Sequence, residues 1–244
     1  MNNYPLNAKY DPQWIEQNWM GPNPLILLEE LCSNLKLSPG MKVLDMGCGK
    51  GLTSIFLAKE FGVTVFANDL WVDPTENLQR FIEAGVADRV FPIHAEAHAL
   101  PYAKGFFDAA ISIDSYHYYG ADELYFTCTF APLVKPGSQL GIVVPGLTEE
   151  FPNGYPPGMK SFWLSPTEDS RELFSFHSAA WWRNLWEKTE IAEIISCYNI
   201  PDPKAIWLPW AHWAKKNLNF NDVEFLEADK ENKITLIAMT AVKQ

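Results

Sequence analysis

The chain has 244 residues, of which 48% are hydrophobic and 20% charged, a balance that suits a globular protein with a substantial core. Its formal net charge of −11 argues against a nucleic-acid polyanion as the main partner, because phosphate contacts supply most of that affinity. No signal peptide, membrane-spanning run or metal-binding cysteine spacing is visible, so we expect a cytoplasmic protein with reduced thiols, no membrane association and no bound metal.

An aromatic-rich segment begins the chain. Residues 1–22 predict a cap with a short helix near Gln13–Asn18, and Asn23-Pro24 has the residue types of a helix N-cap and first turn. Leucines at near-helical spacing follow. We therefore assign residues 1–40 to an N-terminal helical cap on a single domain that spans 1–244.

Strand and helix patterns then alternate. Five short apolar runs predict buried strands. The first begins at Val43, and the others occupy 63–67, 89–94, 107–113 and 139–144. Helical patterns lie between them, from Thr53 to Gly62, from Pro74 to Gly85 and over 121–130. This alternation predicts βαβ units and a mainly parallel sheet, with 41–145 as the ligand-binding core.

The alternation breaks after Gly146. The proline-rich stretch 146–177 is too long for an ordinary connection, so we interpret it as a lid within a substrate-covering region over 146–213. Ser178 is expected to cap a helix that runs through Cys197. Residues 214–244 predict a closing antiparallel hairpin, with strands over 222–228 and 234–242.

A glycine loop follows the first strand, as Asp45-x-Gly47-x-Gly49-x-Gly51. A glycine turn between a strand and a helix can bring backbone N–H groups up to a ligand. The dinucleotide fingerprint would need glycine where Leu52 stands, and the phosphate loop would need Ser or Thr directly after Lys50. Both of those familiar loops are therefore disfavoured.

The loop closely resembles motif I of class I S-adenosylmethionine-dependent methyltransferases of the small-molecule type. Two later motifs strengthen the resemblance: an acid at the end of the second strand, Asp69, and the run Glu96 to Tyr102 with Leu100-Pro101, followed by Phe107-Asp108. The resemblance implies an α/β, Rossmann-like, doubly wound and mainly parallel seven-stranded sheet with an antiparallel C-terminal hairpin. It also implies S-adenosyl-L-methionine as cofactor, S-adenosyl-L-homocysteine as product, and a small-molecule acceptor.

The same resemblance assigns the cofactor-binding residues. Asp69 would hold the ribose hydroxyls and Glu96 the adenine amino group, with the Ala97 N–H facing the ring. The full expected set is Asp45, Gly47, Cys48, Gly49, Gly51, Asp69, Leu70, Trp71, Glu96, Ala97 and Asp114.

The segment after the fourth strand, Asp114-Ser115-Tyr116-His117, is expected where cofactor and acceptor meet, because ligands bind outside the carboxyl ends of parallel strands. His117 and Tyr116 are the catalytic candidates, with His117 as a general base. The alternative is that both residues only pack or wall the pocket, since the sulfonium is already an activated donor and alignment can carry the rate.

Other functions stay open at this stage. A catalytically silent S-adenosylmethionine-binding protein would have the same motifs. A protein or nucleic-acid methyltransferase of the same fold is disfavoured by the acidic charge and by the lack of an Asn/Asp-Pro-Pro-aromatic motif. An NAD-binding oxidoreductase is disfavoured by Leu52, and a homodimer is an open option for the assembly.

Overall fold

A computed structural model describes residues 4–151, 159 and 172–244 of the chain. The strands are β1 Lys42–Met46, β2 Thr64–Asp69, β3 Val90–His94, β4 Phe107–Ile113, β5 Val134–Leu147, β6 Ala192–Asn199 and β7 Ile234–Lys243. The helices are α1 Pro12–Asn18, α2 Pro24–Cys32, α3 Leu52–Phe61, α4 Pro74–Glu83, α5 Glu123–Tyr125, α6 Ala131–Leu133, α7 Ala179–Glu187, α8 Pro203–Leu218 and α9 Asp222–Ala228. A π-helical turn, Phe126–Phe130, joins α5 to α6.

The strands form a seven-stranded sheet in the order β3-β2-β1-β4-β5-β7-β6. Neighbouring strands from β3 to β5 are parallel, and β7 runs antiparallel between β5 and β6. The predicted α/β, doubly wound and mainly parallel sheet is therefore confirmed, with antiparallel strands from the C-terminal part of the chain. The chain order reverses direction at β1 and β4, which is the point where open sheets of this kind bind ligands.

Helices cover both faces of the sheet. One apolar core joins the sheet to α2, α3, α4, α8 and α9. The other core contains the aromatic side chains of the π-helical turn and of α7, including Phe126, Trp182 and Trp186. The predicted short helix near Gln13–Asn18 is present as α1, and the Asn23 side chain caps α2 by accepting hydrogen bonds from the N–H groups of Leu25 and Ile26.

Two predictions in the last third are wrong. Ser178 caps a helix as expected, but that helix ends at Glu187, and residues up to Asn199 form the edge strand β6. The segment Asp222–Ala228 is a helix, so the predicted 214–244 hairpin does not exist and β7 pairs with β6 and β5 instead. Short apolar segments cannot be divided between strand and helix by periodicity alone, and Val223 and Leu226 are buried at helical spacing.

The proposed lid falls largely outside the described residues, so its structure stays a prediction. None of the helices that the structure describes combines the length and the apolarity that a bilayer crossing needs.

Candidate active site

A cavity of about 320 Å³ lies at the carboxyl ends of β1, β2 and β4. Its volume is at the lower end of the range for small-ligand pockets. The described residues that line it come from the cap, the glycine loop, the end of β2, the segment after β3 and the loop after β4. They include Gly47, Cys48, Gly49, Asp69, Leu70, Trp71, Glu96, Ala97 and Asp114 from the expected set.

Four backbone N–H groups of the glycine loop are already hydrogen-bonded within the protein. The N–H groups of Gly47 and Cys48 both donate to the Asn68 carbonyl, at 2.8 and 3.1 Å. The Gly49 N–H donates to a carboxylate oxygen of Asp69 at 2.8 Å, and the Gly51 N–H donates to the Cys48 carbonyl at 2.9 Å. These four N–H groups are therefore not available to cradle a phosphate, which needs free N–H donors.

The glycines instead allow close approach between chain segments. Gly47 has φ +71°, and a Cβ there would lie 2.0 Å from Ser115 Oγ. Gly51 has φ +80°, and a Cβ there would lie 2.4 Å from the Phe81 ring. Gly51 therefore serves the packing of α3 against α4, while Gly47 brings the loop against the segment after β4.

Asp69 is the organising carboxylate of the site. It is 9% exposed, and one of its oxygens accepts hydrogen bonds from the N–H groups of Trp71 (2.8 Å) and Val72 (2.9 Å). Its other oxygen accepts from Gly49 and retains capacity for a further donor, since a carboxylate oxygen has two lone pairs. The structure thus places Asp69 where it can hold both the loop and a ligand hydroxyl.

The segment after β3 forms another wall of the cavity. Glu96 and Ala97 line it as expected, and His98 lies beside them with its Nδ1 3.0 Å from a Glu96 carboxylate oxygen. On the neighbouring wall, Trp71 is 71% exposed, and its ring lies edge-on to Tyr118 with centroids 5.7 Å apart. These apolar rings and the Glu96 carboxylate suit a flat heteroaromatic base with an amino group.

The cap contributes cavity residues that the sequence did not reveal. Trp19, Met20 and Gly21 all line the cavity. Gly21 lies so close to Asp114 that a Cβ there would be 2.1 Å from the Asp114 carboxylate. No pattern in residues 1–22 pointed to this contact, because it depends on how the cap folds over the sheet.

The two catalytic candidates lie outside the described lining of the cavity. Tyr116 is fully buried against Phe130 and Trp186 in the core of the opposite face. His117 is buried beside Tyr118 and Phe176, and burial lowers the pKa of its imidazole from 6.5 to about 3. A histidine with so low a pKa is neutral at physiological pH and is a weak proton acceptor.

We therefore expect Tyr116→Phe and His117→Gln to leave turnover close to that of the wild type. In a folded variant, kcat should change by less than about threefold, because neither residue is among the described residues that line the cavity. Steady-state kinetics, with thermal unfolding as the check on folding, measure this. A loss of kcat by two orders of magnitude in folded His117→Gln would restore the general base.

Asp45 lies behind the glycine loop and not in the described lining. One of its oxygens accepts hydrogen bonds from the hydroxyls of Thr53 and Ser54, both at 2.6 Å, so it holds the start of α3. Its other oxygen is buried and has no hydrogen-bond partner among the described residues. Burial raises the pKa of this carboxyl from 3.8 to about 6.

Because the pKa of Asp45 is raised in the folded state, ionisation of Asp45 lowers the free energy of unfolding. The folded state holds the proton more tightly, so this stabilisation is full below a pH of 3.8 and is lost as the pH rises through about 6. Asn does not titrate, so the unfolding free energy of Asp45→Asn relative to that of wild type should rise by about 3 kcal/mol as the pH goes from well below 3.8 to well above 6. Urea unfolding across this range measures the difference, and a constant difference would contradict the assignment.

Within the described ranges, no cluster of three or more His, Cys, Asp or Glu side chains is arranged to hold a metal ion.

Comparison with known proteins agrees with this geometry. Residues 43–137 match the family model of a methyltransferase domain. Methyltransferase GfsG of Streptomyces halstedii is 35% identical over 118 residues, covering 48% of this chain and 42% of that protein. The 27-O-demethylrifamycin SV methyltransferase of Amycolatopsis mediterranei is 31% identical over 117 residues, covering 48% of this chain and 43% of that protein. The matches thus span less than half the length of these curated relatives.

A solved structure has the same fold. Geranyl diphosphate C-methyltransferase from Streptomyces coelicolor A3(2), in complex with Mg²⁺, geranyl diphosphate and S-adenosyl-L-homocysteine, superposes with a TM-score of 0.66 at 15% sequence identity. The superposition covers 90% of this chain and 79% of that one. Residues 43–137 therefore match a methyltransferase domain, and the motifs and the sheet of this chain resemble those of class I S-adenosylmethionine-dependent methyltransferases.

Proposed function

We propose that this chain is an S-adenosylmethionine-dependent methyltransferase that acts on a small molecule. The observation that carries the proposal is the cavity at the carboxyl ends of β1 and β4, where the chain order of the sheet reverses. The glycine loop, Asp69 and Glu96 all line this cavity. The cavity chemistry fits the cofactor: a carboxylate oxygen for ribose hydroxyls, an acid beside apolar rings for adenine, and glycines that allow close approach. Gly47, Gly49, Asp69, Glu96 and Ala97 are the proposed contacts.

The satisfied amides of the glycine loop also favour this cofactor over a dinucleotide. A pyrophosphate would need N–H donors at the loop, and those of Gly47, Cys48 and Gly49 already bond within the protein. The adenosyl and methionine parts of S-adenosylmethionine have no phosphate to satisfy. Leu52, which stands where the dinucleotide fingerprint has glycine, separately disfavours the NAD-binding alternative.

The chain's contribution to the reaction is proximity and alignment. When bound, S-adenosylmethionine supplies a methyl group activated by the adjacent sulfonium. The protein needs to hold an acceptor atom in line with that methyl group, and such orientation is worth several orders of magnitude in rate. Asp114, Ser115 and Tyr118 line the cavity beside the glycine loop and are the proposed boundary between cofactor and acceptor.

For the acceptor atom, we propose a hydroxyl oxygen of a small molecule. The name of the Amycolatopsis relative states that it acts on 27-O-demethylrifamycin SV. His117 is not among the described residues that line the cavity, so it is not expected to act as a base. A hydroxyl acceptor is still possible, because water can take the proton released on O-methylation.

A screen for S-adenosylhomocysteine release across alcohols, phenols, amines, thiols and carbon acids tests the proposal. We expect release with at least one hydroxyl compound and no release without an acceptor. Release with amines or carbon acids alone would overturn the choice of oxygen but keep the methyltransferase. Tight cofactor binding with no release for any class would favour a catalytically silent S-adenosylmethionine-binding protein.

A further inference from the structure

The cap forms an uncharged wall of the cavity, which we call the cap wall. Its residues are Asn18, Trp19, Met20, Gly21, Pro22 and Pro24. The only side-chain amide among them, that of Asn18, donates to the Trp14 carbonyl at 2.8 Å. Trp19 is buried with its ring edge-on to Trp213, whereas Met20 is 46% exposed. The cap wall therefore presents mainly apolar surface to a ligand.

The cap wall lies at the β4 end of the cavity. In the sheet order, β3 and β4 stand on opposite sides of β2 and β1, so the segments that follow them form opposite ends of the cavity. Gly21 packs against Asp114 of the segment after β4, and Met20 Sδ lies 3.1 Å from the place that a Cβ on Gly49 would occupy. The cap wall thus faces the glycine loop and the proposed boundary between cofactor and acceptor, and Glu96 lies at the other end.

Negative side chains outnumber positive ones around the cavity. The carboxylates among the described lining residues are Asp69, Glu96 and Asp114. Lys50 is the only Lys or Arg in that part of the lining, and its Nζ donates to the Gln17 carbonyl at 3.3 Å. Burial lowers the pKa of the Lys50 ammonium, and the nearby Arg80 lowers it further. An anionic ligand group would therefore meet three carboxylates and one lysine that is already hydrogen-bonded.

This charge distribution selects against anionic ligands. An anion that leaves water for a site without a counter-charge loses hydration free energy that an apolar wall does not return. Carboxylates a few ångströms away add repulsion, which is strongest where water is excluded. Repulsion of the wrong ligand is as effective a source of specificity as attraction of the right one. The described lining therefore discriminates against acceptors with a carboxylate, phosphate or sulfate group.

The cap wall also favours apolar ligands directly. Burial of apolar surface stabilises a complex in proportion to the area that is removed from water. Nearly half of the Met20 side chain still contacts solvent at the cavity, so a ligand that covers it would gain this contribution. The thioether of methionine is flexible and polarisable, and it adapts to apolar ligands of different shape.

We infer that the acceptor is an apolar molecule without an anionic group, and that its apolar body binds against the cap wall with Met20 as the main contact. This assignment rests on the proposed function and names the class of its acceptor. Together with the proposed oxygen acceptor, it specifies an uncharged alcohol or phenol on an apolar scaffold. Met20 is then a specificity-determining residue.

Calorimetry on protein saturated with S-adenosylhomocysteine tests the inference with two matched probes at pH 7. 2-Naphthol is an apolar phenol, and 2-naphthoate has the same ring system with a carboxylate in place of the hydroxyl group. We expect 2-naphthol to bind at least about tenfold more tightly than 2-naphthoate, because the carboxylate would lose hydration without gaining a counter-charge. A smaller preference, a preference for 2-naphthoate, or no binding of 2-naphthol would overturn the inference.

Two substitutions of Met20 test where the probes bind. Met20→Ser removes apolar contact area and should weaken 2-naphthol binding by about three- to fivefold. Met20→Lys places a cation at the same position and should shift the ratio of the two affinities toward 2-naphthoate by about three- to fivefold. Thermal unfolding checks each fold, and either variant suffices if the other does not fold. Unchanged affinities in the folded variants would overturn the assignment to the cap wall.

Leu124→Ser is the matched control for Met20→Ser. Leu124 is 73% exposed and is not among the described residues that line the cavity. Its substitution should leave both affinities unchanged. Equal losses in Leu124→Ser and Met20→Ser would mean that 2-naphthol binds apolar surface without specificity, which would also overturn the inference.

The preceding titration with S-adenosylhomocysteine tests the proposed function separately. Wild-type protein that does not bind S-adenosylhomocysteine would overturn the proposed function, and the acceptor class would fall with it. Binding of S-adenosylhomocysteine together with a preference for 2-naphthoate would overturn the acceptor class alone and leave the methyltransferase assignment intact.

Discussion

Asp69→Ala is expected to weaken S-adenosylhomocysteine binding by about a hundredfold or more. The substitution removes the acceptor for a ligand hydroxyl and leaves the N–H groups of Gly49, Trp71 and Val72 without their partner. Each lost charged hydrogen bond is worth about 1.5–3 kcal/mol, so the substitution should both destabilise the loop and weaken the contact with the ligand. Isothermal calorimetry measures the affinity, and thermal unfolding should show a loss of stability in parallel.

Asp88→Ala is the control for Asp69. Asp88 also carries a carboxylate, but it pairs with Arg89 at the surface and does not line the cavity. Its removal should change neither affinity nor stability appreciably, since exposed ion pairs contribute little. Unaltered S-adenosylhomocysteine affinity in folded Asp69→Ala would show that this acid has no part in cofactor binding.

Gly47→Ala is expected to abolish detectable cofactor binding. Alanine at φ +71° costs about 1–2 kcal/mol in backbone strain, and its methyl group would lie 2.0 Å from Ser115 Oγ and 2.5 Å from Ser115 Cβ. The loop and the segment after β4 must then separate, which changes the floor of the cavity. We expect affinity to fall beyond the range of calorimetry, with a lower unfolding temperature.

Gly40→Ala separates the effect of backbone strain at positive φ from the effect of the clash with Ser115. Gly40 has φ +87°, but no neighbouring atom lies within 4 Å of the place a Cβ would occupy. This variant should show the backbone cost of about 1–2 kcal/mol and keep its full affinity for the cofactor. If Gly47→Ala lost no more stability than Gly40→Ala and still bound S-adenosylhomocysteine, the close approach at Gly47 would not matter for the site.

The predictable part of the fold lies where several signals agree. From Val43 to Val144, apolar runs, glycines and capping residues alternate at short intervals, and the strands and helices formed near the expected positions. The helix α3 ends at Gly62 because this glycine adopts the left-handed conformation. The helix α4 begins after Asp73 because the Asp73 side chain accepts a hydrogen bond from the Thr75 N–H. Local chemistry was sufficient for these elements.

The last third was harder because its elements are short and its signals conflict. Trp182, Leu185 and Trp186 gave a helical period, and nothing in the apolar residues after Glu187 marked the change to the edge strand β6. Residues 222–228 fit either a strand or a helix by composition. Their packing against α8 decides the outcome, and such contacts between distant segments are not encoded in local spacing.

In the site, too, some residues could be predicted from the sequence and others depend on packing between distant segments. Asp69 and Glu96 stand at strand ends, so topology alone brought them to one cavity. Tyr116 and His117 stand on the correct loop, but their direction depends on how a short 3₁₀ turn, Tyr116–Tyr118, packs against the aromatic core. The turn buries both side chains and leaves Ser115 and Tyr119 at the cavity, a distinction that sequence spacing does not contain.

Equilibrium binding of S-adenosylmethionine, S-adenosylhomocysteine and NAD to the wild-type chain is the most direct test of the proposed cofactor. Calorimetry should show one adenosyl ligand bound per chain and no heat of binding with NAD, because the N–H groups of Gly47, Cys48 and Gly49 are already hydrogen-bonded within the protein. Binding of NAD without binding of either adenosyl ligand would contradict the assignment of this cavity to a methyl donor.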